Sequence, residues 1–119
     1  MHELSIAQNI LEIVKLNVPS NELSEVKSVK LRIGEFAGVV PESLEFCFQA
    51  ITSGTELEGS VLDIERIPFV IQCNSCKETS TNEIGIRICQ KCGSSDTGII
   101  SGIEMQVVEV ELKEVGSEV

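Results

Sequence analysis

Apolar residues recur at helical spacing near the start of the chain. Leu4, Ala7, Leu11, Val14 and Val18 stand three and four apart, with Ile10 beside them. That stripe predicts an amphipathic helix over 4–18, ended by Pro19, Ser20 and Asn21. The period then changes to two. Val29, Leu31 and Ile33 alternate with Lys30 and Arg32, which predicts a half-buried strand over 26–33. Gly34 and Gly38 break the pattern. Pro41 opens a second helix at a first-turn position, where its missing N–H costs little. Leu44, Phe48 and Ile51 form its apolar face, and Gly54 suits its C-terminal cap. Leu62 and Ile64 alternate with Asp63 and Glu65 in a strand over 60–67, bounded by Pro68. Phe69, Val70 and Ile71 lead into two cysteine turns, and Ser94, Ser95, Asp96 and Gly98 form a loop after them. Val108, Val110 and Leu112 alternate with Glu109 and Glu111 in a last strand over 103–112.

The resulting order is α-β-α-β, cysteine module, β. It predicts an α+β fold with two helices on a three-stranded mixed sheet. A zinc-ribbon-like module sits between the last two strands. The first two strands run parallel around the second helix as a right-handed crossover. The third is expected to return antiparallel to the second. The domain boundaries follow: 1–68 plus 99–119 form an α/β domain, and 69–98 form the metal-binding module.

The 119 residues fit one ordinary domain with a small metal-held addition. With 42% apolar and 24% charged residues, the chain is globular. The net charge of −10 changes the functional picture. A phosphate-binding surface needs concentrated positive charge, and none is visible. Acidity suits a basic partner surface or a cation instead. The first apolar stretch lacks a basic leader and is interrupted by Glu12 and Lys15. No apolar run reaches membrane-spanning length. The expected location is a reducing cytoplasm, where thiols persist.

Four of the five cysteines fall in two tight pairs, Cys73-x2-Cys76 and Cys89-x2-Cys92, with twelve residues between the pairs. Two residues between cysteines let both sulfurs of one turn face a single ion. Two such turns supply the four thiolates of a closed tetrahedral Zn²⁺ site. A closed site holds structure and leaves no position for a substrate. Residues 69–98 are too few to bury a useful core, so the metal is expected to fold them. Gly93 follows the second pair, where a tight turn needs positive φ and can aim an N–H at a thiolate. Lys77, Arg87 and Lys91 are near enough in sequence to offset part of the −2 formal charge of a Zn(thiolate)4 centre. Buried or disulfide-linked thiols account poorly for this spacing. Iron of the rubredoxin kind uses the same ligands, and colour separates it from zinc. Cys47 lies by the apolar face of the second helix and reads as a small hydrophobe. A catalytic thiol would need a base, and the single histidine is His2.

The chain opens Met1-His2-Glu3. The α-amine of Met1, the amide nitrogen of His2 and its Nδ1 can close a five-membered and a six-membered chelate ring on one ion. With the amide deprotonated, three nitrogens lie in a plane, a geometry that favours Ni(II) or Cu(II). Glu3 can add an oxygen. An octahedral arrangement of amine, imidazole, carboxylate and water is the other option. Both keep exchangeable positions, so a metal held there can be passed on.

With these residues in place, the chain resembles the hydrogenase-maturation nickel chaperones, the HypA/HybF family. The resemblance covers the opening Met-His-Glu-Leu-Ser, Gly34-Glu35 after the first strand, the stretch from Val40 to Pro68, both cysteine pairs and the last strand. It implies that His2 ligates nickel with the Met1 amine and with Glu3 as a further donor, and that Cys73, Cys76, Cys89 and Cys92 hold structural zinc. It implies transported Ni²⁺, with a hydrogenase-maturation GTPase and the [NiFe] hydrogenase large subunit as partners, and urease accessory proteins in some organisms. Some relatives carry histidines in or near the zinc module; this chain has none there, which excludes nickel ligation by histidine at that place. The protein would be a monomer or homodimer, a binding protein and not an enzyme, and bind neither nucleic acid nor membrane. Two other classes compete. A zinc-ribbon module for nucleic acid or a transcription component rests on the cysteines alone, against the acidic charge and the lack of Trp and Tyr. A dithiol or hydrolytic enzyme lacks a nucleophile–base pair and a phosphate-binding loop.

Overall fold

A computed structural model of the chain describes residues 3–113. Helix α1 spans Glu3–Asn17 and buries Ala7, Ile10 and Val14. Leu4 is half exposed, so the buried stripe is narrower than its sequence pattern. A 3-10 helix follows at Ser20–Glu25. Strand β1 spans Val26–Gly34, and α2 spans Pro41–Thr52 with Pro in its first turn. Strand β2 is Val61–Ile67, β3 is Val70–Cys73, β4 is Thr79–Ser80, β5 is Thr97–Ser101 and β6 is Met105–Leu112.

Two three-stranded sheets form, ordered β2-β1-β6 and β4-β3-β5. The first sheet is mixed. Arg32 pairs with Glu65, and the Glu35 N–H donates to the Ile67 carbonyl at 2.9 Å, so β1 and β2 advance together. The Gly34 N–H donates to the Glu104 carbonyl, while the Lys113 N–H donates to the Glu25 carbonyl, so β6 runs against β1.

The last strand therefore lies beside β1 and not beside β2, which corrects the expected pairing. The cause is visible at two glycines. A Cβ on Gly34 would overlap the carbonyl carbon of Gly102, so only two hydrogens let these backbones meet. The Phe36 N–H donates to the Gly102 carbonyl at 2.7 Å. The chain entering β6 is thereby fastened to the end of β1. Burial agrees: β1 is covered at most positions, as a central strand is, whereas β2 leaves Val61, Asp63, Glu65 and Arg66 exposed.

The chain divides into two compact units. The first comprises Met1–Leu31, Val39–Ile64 and Val107–Val119. Its core holds Ile10 and Val14 of α1, Leu44 and Phe48 of α2, and Val29 and Leu31 of β1. Each such side chain contributes about 1.5–3 kcal/mol on burial. The second unit comprises Arg32–Gly38 and Glu65–Gln106. Its core holds Ile33, Ile67, Phe69 and Ile71 together with Cys73 and Cys89. Charge is divided unevenly. The first unit has thirteen acidic and four basic residues, a net of −9, and the second has six and five, a net of −1.

Candidate metal centre

Strand β3 delivers Cys73 to the first cysteine turn. Its register is fixed on one side by Ile71 opposite Ser80 and on the other by Cys73 opposite Thr97. Beyond Cys73 the chain folds back. The Lys77 N–H donates to the Cys73 carbonyl at 3.0 Å, and the Cys73 N–H donates to the Glu78 carbonyl at 2.9 Å. The second turn repeats this. The Gly93 N–H donates to the Cys89 carbonyl at 2.9 Å, and the Cys89 N–H donates to the Ser94 carbonyl at 2.8 Å. The two turns are joined by Asn74, whose N–H and side-chain amide donate to the Asp96 carbonyl and carboxylate. The Ser75 and Ser94 hydroxyls also meet at 3.2 Å.

These turns bring the four sulfurs of Cys73, Cys76, Cys89 and Cys92 within 4.8 Å of one another. Cys73 and Cys92 are 3.5 Å apart at sulfur, and Cys76 and Cys89 are 3.6 Å apart. A disulfide would need about 2.05 Å. A Zn–S bond of about 2.3 Å gives a tetrahedron with edges of about 3.8 Å. The cluster therefore fits one zinc ion and leaves no room for a fifth ligand.

The electrostatics fit a cation as well. The N–H groups of Ser75 and Cys76 point at Cys73 Sγ at 3.3 and 3.4 Å, and those of Lys91 and Cys92 point at Cys89 Sγ, each at 3.4 Å. Led by the Cys76 N–H, these donors hold the Cys73 thiol down at about 6, against burial. The Cys92 and Lys91 N–H groups lower Cys89. The second cysteine of each pair behaves oppositely. The Ser94 N–H favours the Cys92 thiolate, but the neighbouring Cys73 sulfur, burial and the other two cysteines outweigh it and push Cys92 up to about 12. At Cys76 the Glu78 N–H is outweighed by burial and by Cys89 and Cys73, and the thiol is raised. Four thiolates so close repel one another, and a divalent cation at their centre is what removes that repulsion.

Two expectations change in detail. The Gly93 N–H goes to the Cys89 carbonyl and not to a thiolate; the donors to the first sulfur of each turn are its third and fourth residues, Ser75 and Cys76 or Lys91 and Cys92. Lys91 pairs with Glu78 at 3.1 Å, so its charge is shared with that carboxylate. Cys47 is half-buried on α2 between the buried Leu44 and Phe48.

Met1 and His2 lie outside the described residues. Glu3 begins α1, and its carboxylate accepts the Val40 N–H at 3.1 Å, just ahead of α2. The periodicity gave no sign of Glu35 and Phe36 as members of the cysteine unit. The Glu35 carboxylate accepts the Phe69 N–H at 3.2 Å, and the Phe36 and Phe69 rings meet edge-to-face with centroids 5.2 Å apart. The Thr81 hydroxyl donates to the Phe69 carbonyl. Phe69 is thus held from both sides, four residues before the first metal-ligand position.

A cysteine cluster of this kind recurs in many proteins, but its surroundings here match one family. The family model described as "Hydrogenase/urease nickel incorporation, metallochaperone, hypA" matches residues 1–112. The chain belongs to the HypA family. It is 42% identical to a hydrogenase maturation factor HypA of Trichodesmium erythraeum over 96% of this chain and 97% of the relative. It is 40% identical to that of Geobacter sulfurreducens over 95% and 100%. The fold is similar to the solution structure of the Ni metallochaperone HypA from Helicobacter pylori, with a TM-score of 0.63 and 22% identity over 95% of this chain and 98% of that one. HypA proteins are a metallochaperone family of hydrogenase maturation, and the four-cysteine centre has the form of a structural zinc site. Among the described residues, no helix is long and apolar enough to cross a membrane.

Proposed function

We propose that this protein is a cytoplasmic nickel metallochaperone and not an enzyme. It captures Ni²⁺ through the Met1 α-amine and His2, with Glu3 as a further ligand. It then passes the ion on by ligand exchange. The receiving machinery is a hydrogenase-maturation GTPase and the [NiFe] hydrogenase large subunit. Where a host makes urease, the same ion serves urease accessory proteins. Residues 1–68 with 99–119 form the nickel-binding domain, and 69–98 form the zinc-binding domain, with zinc on Cys73, Cys76, Cys89 and Cys92.

The observation that carries this reading is a closed four-sulfur centre in a chain matched over residues 1–112 by a nickel-incorporation family. A closed centre binds its metal for structure, so the cargo needs another place. His2 is the one histidine in the sequence. Nickel titration of untagged protein beside protein with an N-terminal extension tests the site. The extension removes the free amine from the chelate, so tight binding should be lost while zinc content stays the same. Equal binding by both proteins would refute the chelate.

A further inference from the structure

Strand β6 is an end strand of its sheet, so one of its backbone edges has no strand beside it among the described residues. Such an edge offers a row of N–H and C=O groups to another extended chain. Proteins usually blunt these edges with a bulge, a proline or a covering loop. β6 runs for eight residues, Met105–Leu112, and contains no proline.

A groove of about 420 Å³ runs alongside it. One wall is Ile13, Val18 and Pro19, at the end of α1 and just after it; the other includes Val108, Val110 and Leu112 of β6. Val108 is 47% and Leu112 40% exposed, although both are large apolar residues on a strand. Two carboxylates, Glu22 and Glu109, also line it. Among the described residues neither has an ion-pair partner within 4.0 Å, whereas Glu111 is held by Ser28 and Lys27. The groove lies wholly in the unit that carries a net of −9.

We propose that the β6 edge and this groove receive an extended segment of a partner protein in which apolar and basic residues alternate. The segment adds a strand to the sheet. Main-chain hydrogen bonds to β6 provide the attachment. Side chains of an added strand point alternately to opposite faces. Its apolar set fills the space between Ile13, Val18 and Val108, and its basic set reaches Glu22 and Glu109. Charge decides against a second copy of this chain as occupant. Edge-to-edge pairing of two β6 strands would bring the acidic residues of one copy onto those of the other, and like charges opposite one another destabilise a pair. This inference goes beyond nickel and zinc binding and does not depend on either.

The test uses the full chain with its zinc and three labelled octapeptides, followed by fluorescence anisotropy. The first alternates valine with lysine and arginine. The second has the same composition with the valines in one block. The third is the first with alternate backbone nitrogens methylated, which blocks strand pairing and keeps the side chains. Only the first should bind. Its affinity should fall at least about tenfold in a Glu22→Lys/Glu109→Lys double variant. It should also weaken at 1 M salt, where charges are screened beyond about 3 Å. Zinc content and nickel affinity of that variant should match the parent, which separates this result from any failure of the nickel site. Equal binding of the blocked or methylated peptide would overturn the proposal. So would no binding, binding unaffected by the double variant, or light scattering showing a dimer that the double variant changes.

Discussion

Lys77 and Gly93 occupy the same place in the two cysteine turns. Each sits one residue after the second cysteine of its pair, and each donates its N–H to the carbonyl of the first, at 3.0 and 2.9 Å. Both have positive φ, 69° for Lys77 and 83° for Gly93. Glycine adopts that region freely, whereas a residue with a Cβ carries strain of about 1–2 kcal/mol there. Lys77 is the one non-glycine residue with positive φ among the described residues. The zinc fold therefore imposes this conformation on a lysine. Exchanging the residues should separate strain from charge. Lys77→Gly is expected to leave the thermal midpoint unchanged or raise it, because strain relief offsets the extra freedom of the unfolded chain. Gly93→Lys should lower stability by about 1 kcal/mol. Thermal unfolding of the zinc-loaded proteins reads both, and a marked fall in Lys77→Gly would contradict the equivalence of the turns.

Gly102 has φ +109°, and a Cβ there would overlap the Cα of Phe69. Backbone strain and overlap act together, so Gly102→Ala should cost about 3 kcal/mol or more. Gly98 lies in β5 with ordinary φ and nothing within 4 Å of an added Cβ. Gly98→Ala should stay within about 0.5 kcal/mol of the parent. Denaturant unfolding of the two variants measures the contrast. Similar midpoints would mean that the chain around Phe69 yields easily.

The same glycines explain how far the sequence could be read. The two α-helices and the three strands of the first sheet were legible because their apolar positions repeat at 3.6 or 2 residues, whereas the second sheet was not: β4 has only two residues, and Gly98 of β5 read as part of a loop. The cysteine centre was legible because the spacing of Cys73, Cys76, Cys89 and Cys92 carries its own geometry. The place of β6 beside β1 was not legible. It depends on Gly34 and Gly102 meeting, and a glycine in a sequence announces a break without naming the backbone it will touch. The role of Phe36 was hidden for a related reason. One aromatic in a loop has no period, and its partner Phe69 is more than thirty residues away.

The thiols set the pH dependence of zinc retention. Cys92, pushed up to about 12, and the raised Cys76 hold protons in the metal-free cluster that zinc must displace. Zinc affinity should therefore fall as the pH falls, from at least pH 9 downward. Cys73, held at about 6, is ionised above that value and adds a further proton to displace below it. The decline should steepen as the pH passes through about 6. Its folded value is depressed below the ordinary 9.0, so its contribution is fully present above 9.0 and is lost as the pH falls through about 6. Competition against a zinc chelator across pH 5–8 measures the slope. A slope constant through pH 6 would show that Cys73 is not the last thiolate to take up a proton.

The Glu3 carboxylate has a structural duty that can be separated from ligation. It accepts the Val40 N–H at 3.1 Å at the start of α2, whose N-cap residue provides no side-chain cap of its own. Glu3→Ala removes the acceptor and should cost about 0.5–1 kcal/mol. Glu3→Gln keeps a carbonyl oxygen at the same reach, so its unfolding midpoint should stay near the parent's. As a nickel donor the neutral amide is poorer than the carboxylate. Calorimetric titration should therefore show weaker nickel binding in Glu3→Gln, by about tenfold, with zinc content unchanged. Parent-like nickel affinity in Glu3→Gln would confine Glu3 to its structural role.

The nickel site should respond to pH through a different group. An imidazole has a reference pKa of about 6.5 and must be neutral to ligate, so in the proposed chelate a proton competes with nickel for His2. Nickel affinity should fall as the pH drops through that value, the imidazole proton adding about tenfold per unit to the loss once it is bound. The α-amine of Met1 has a reference value near 8 in ordinary peptides and adds a decline of its own from that pH downward, so the slope steepens below about 6.5. His2→Ala removes the imidazole contribution while leaving the four cysteines in place. That variant should keep its zinc and its unfolding midpoint, lose tight nickel binding, and lose the break near pH 6.5 in what affinity remains. Retention of the break would move the nickel site away from His2. Its simple absence in the parent, with tight binding throughout, would do the same.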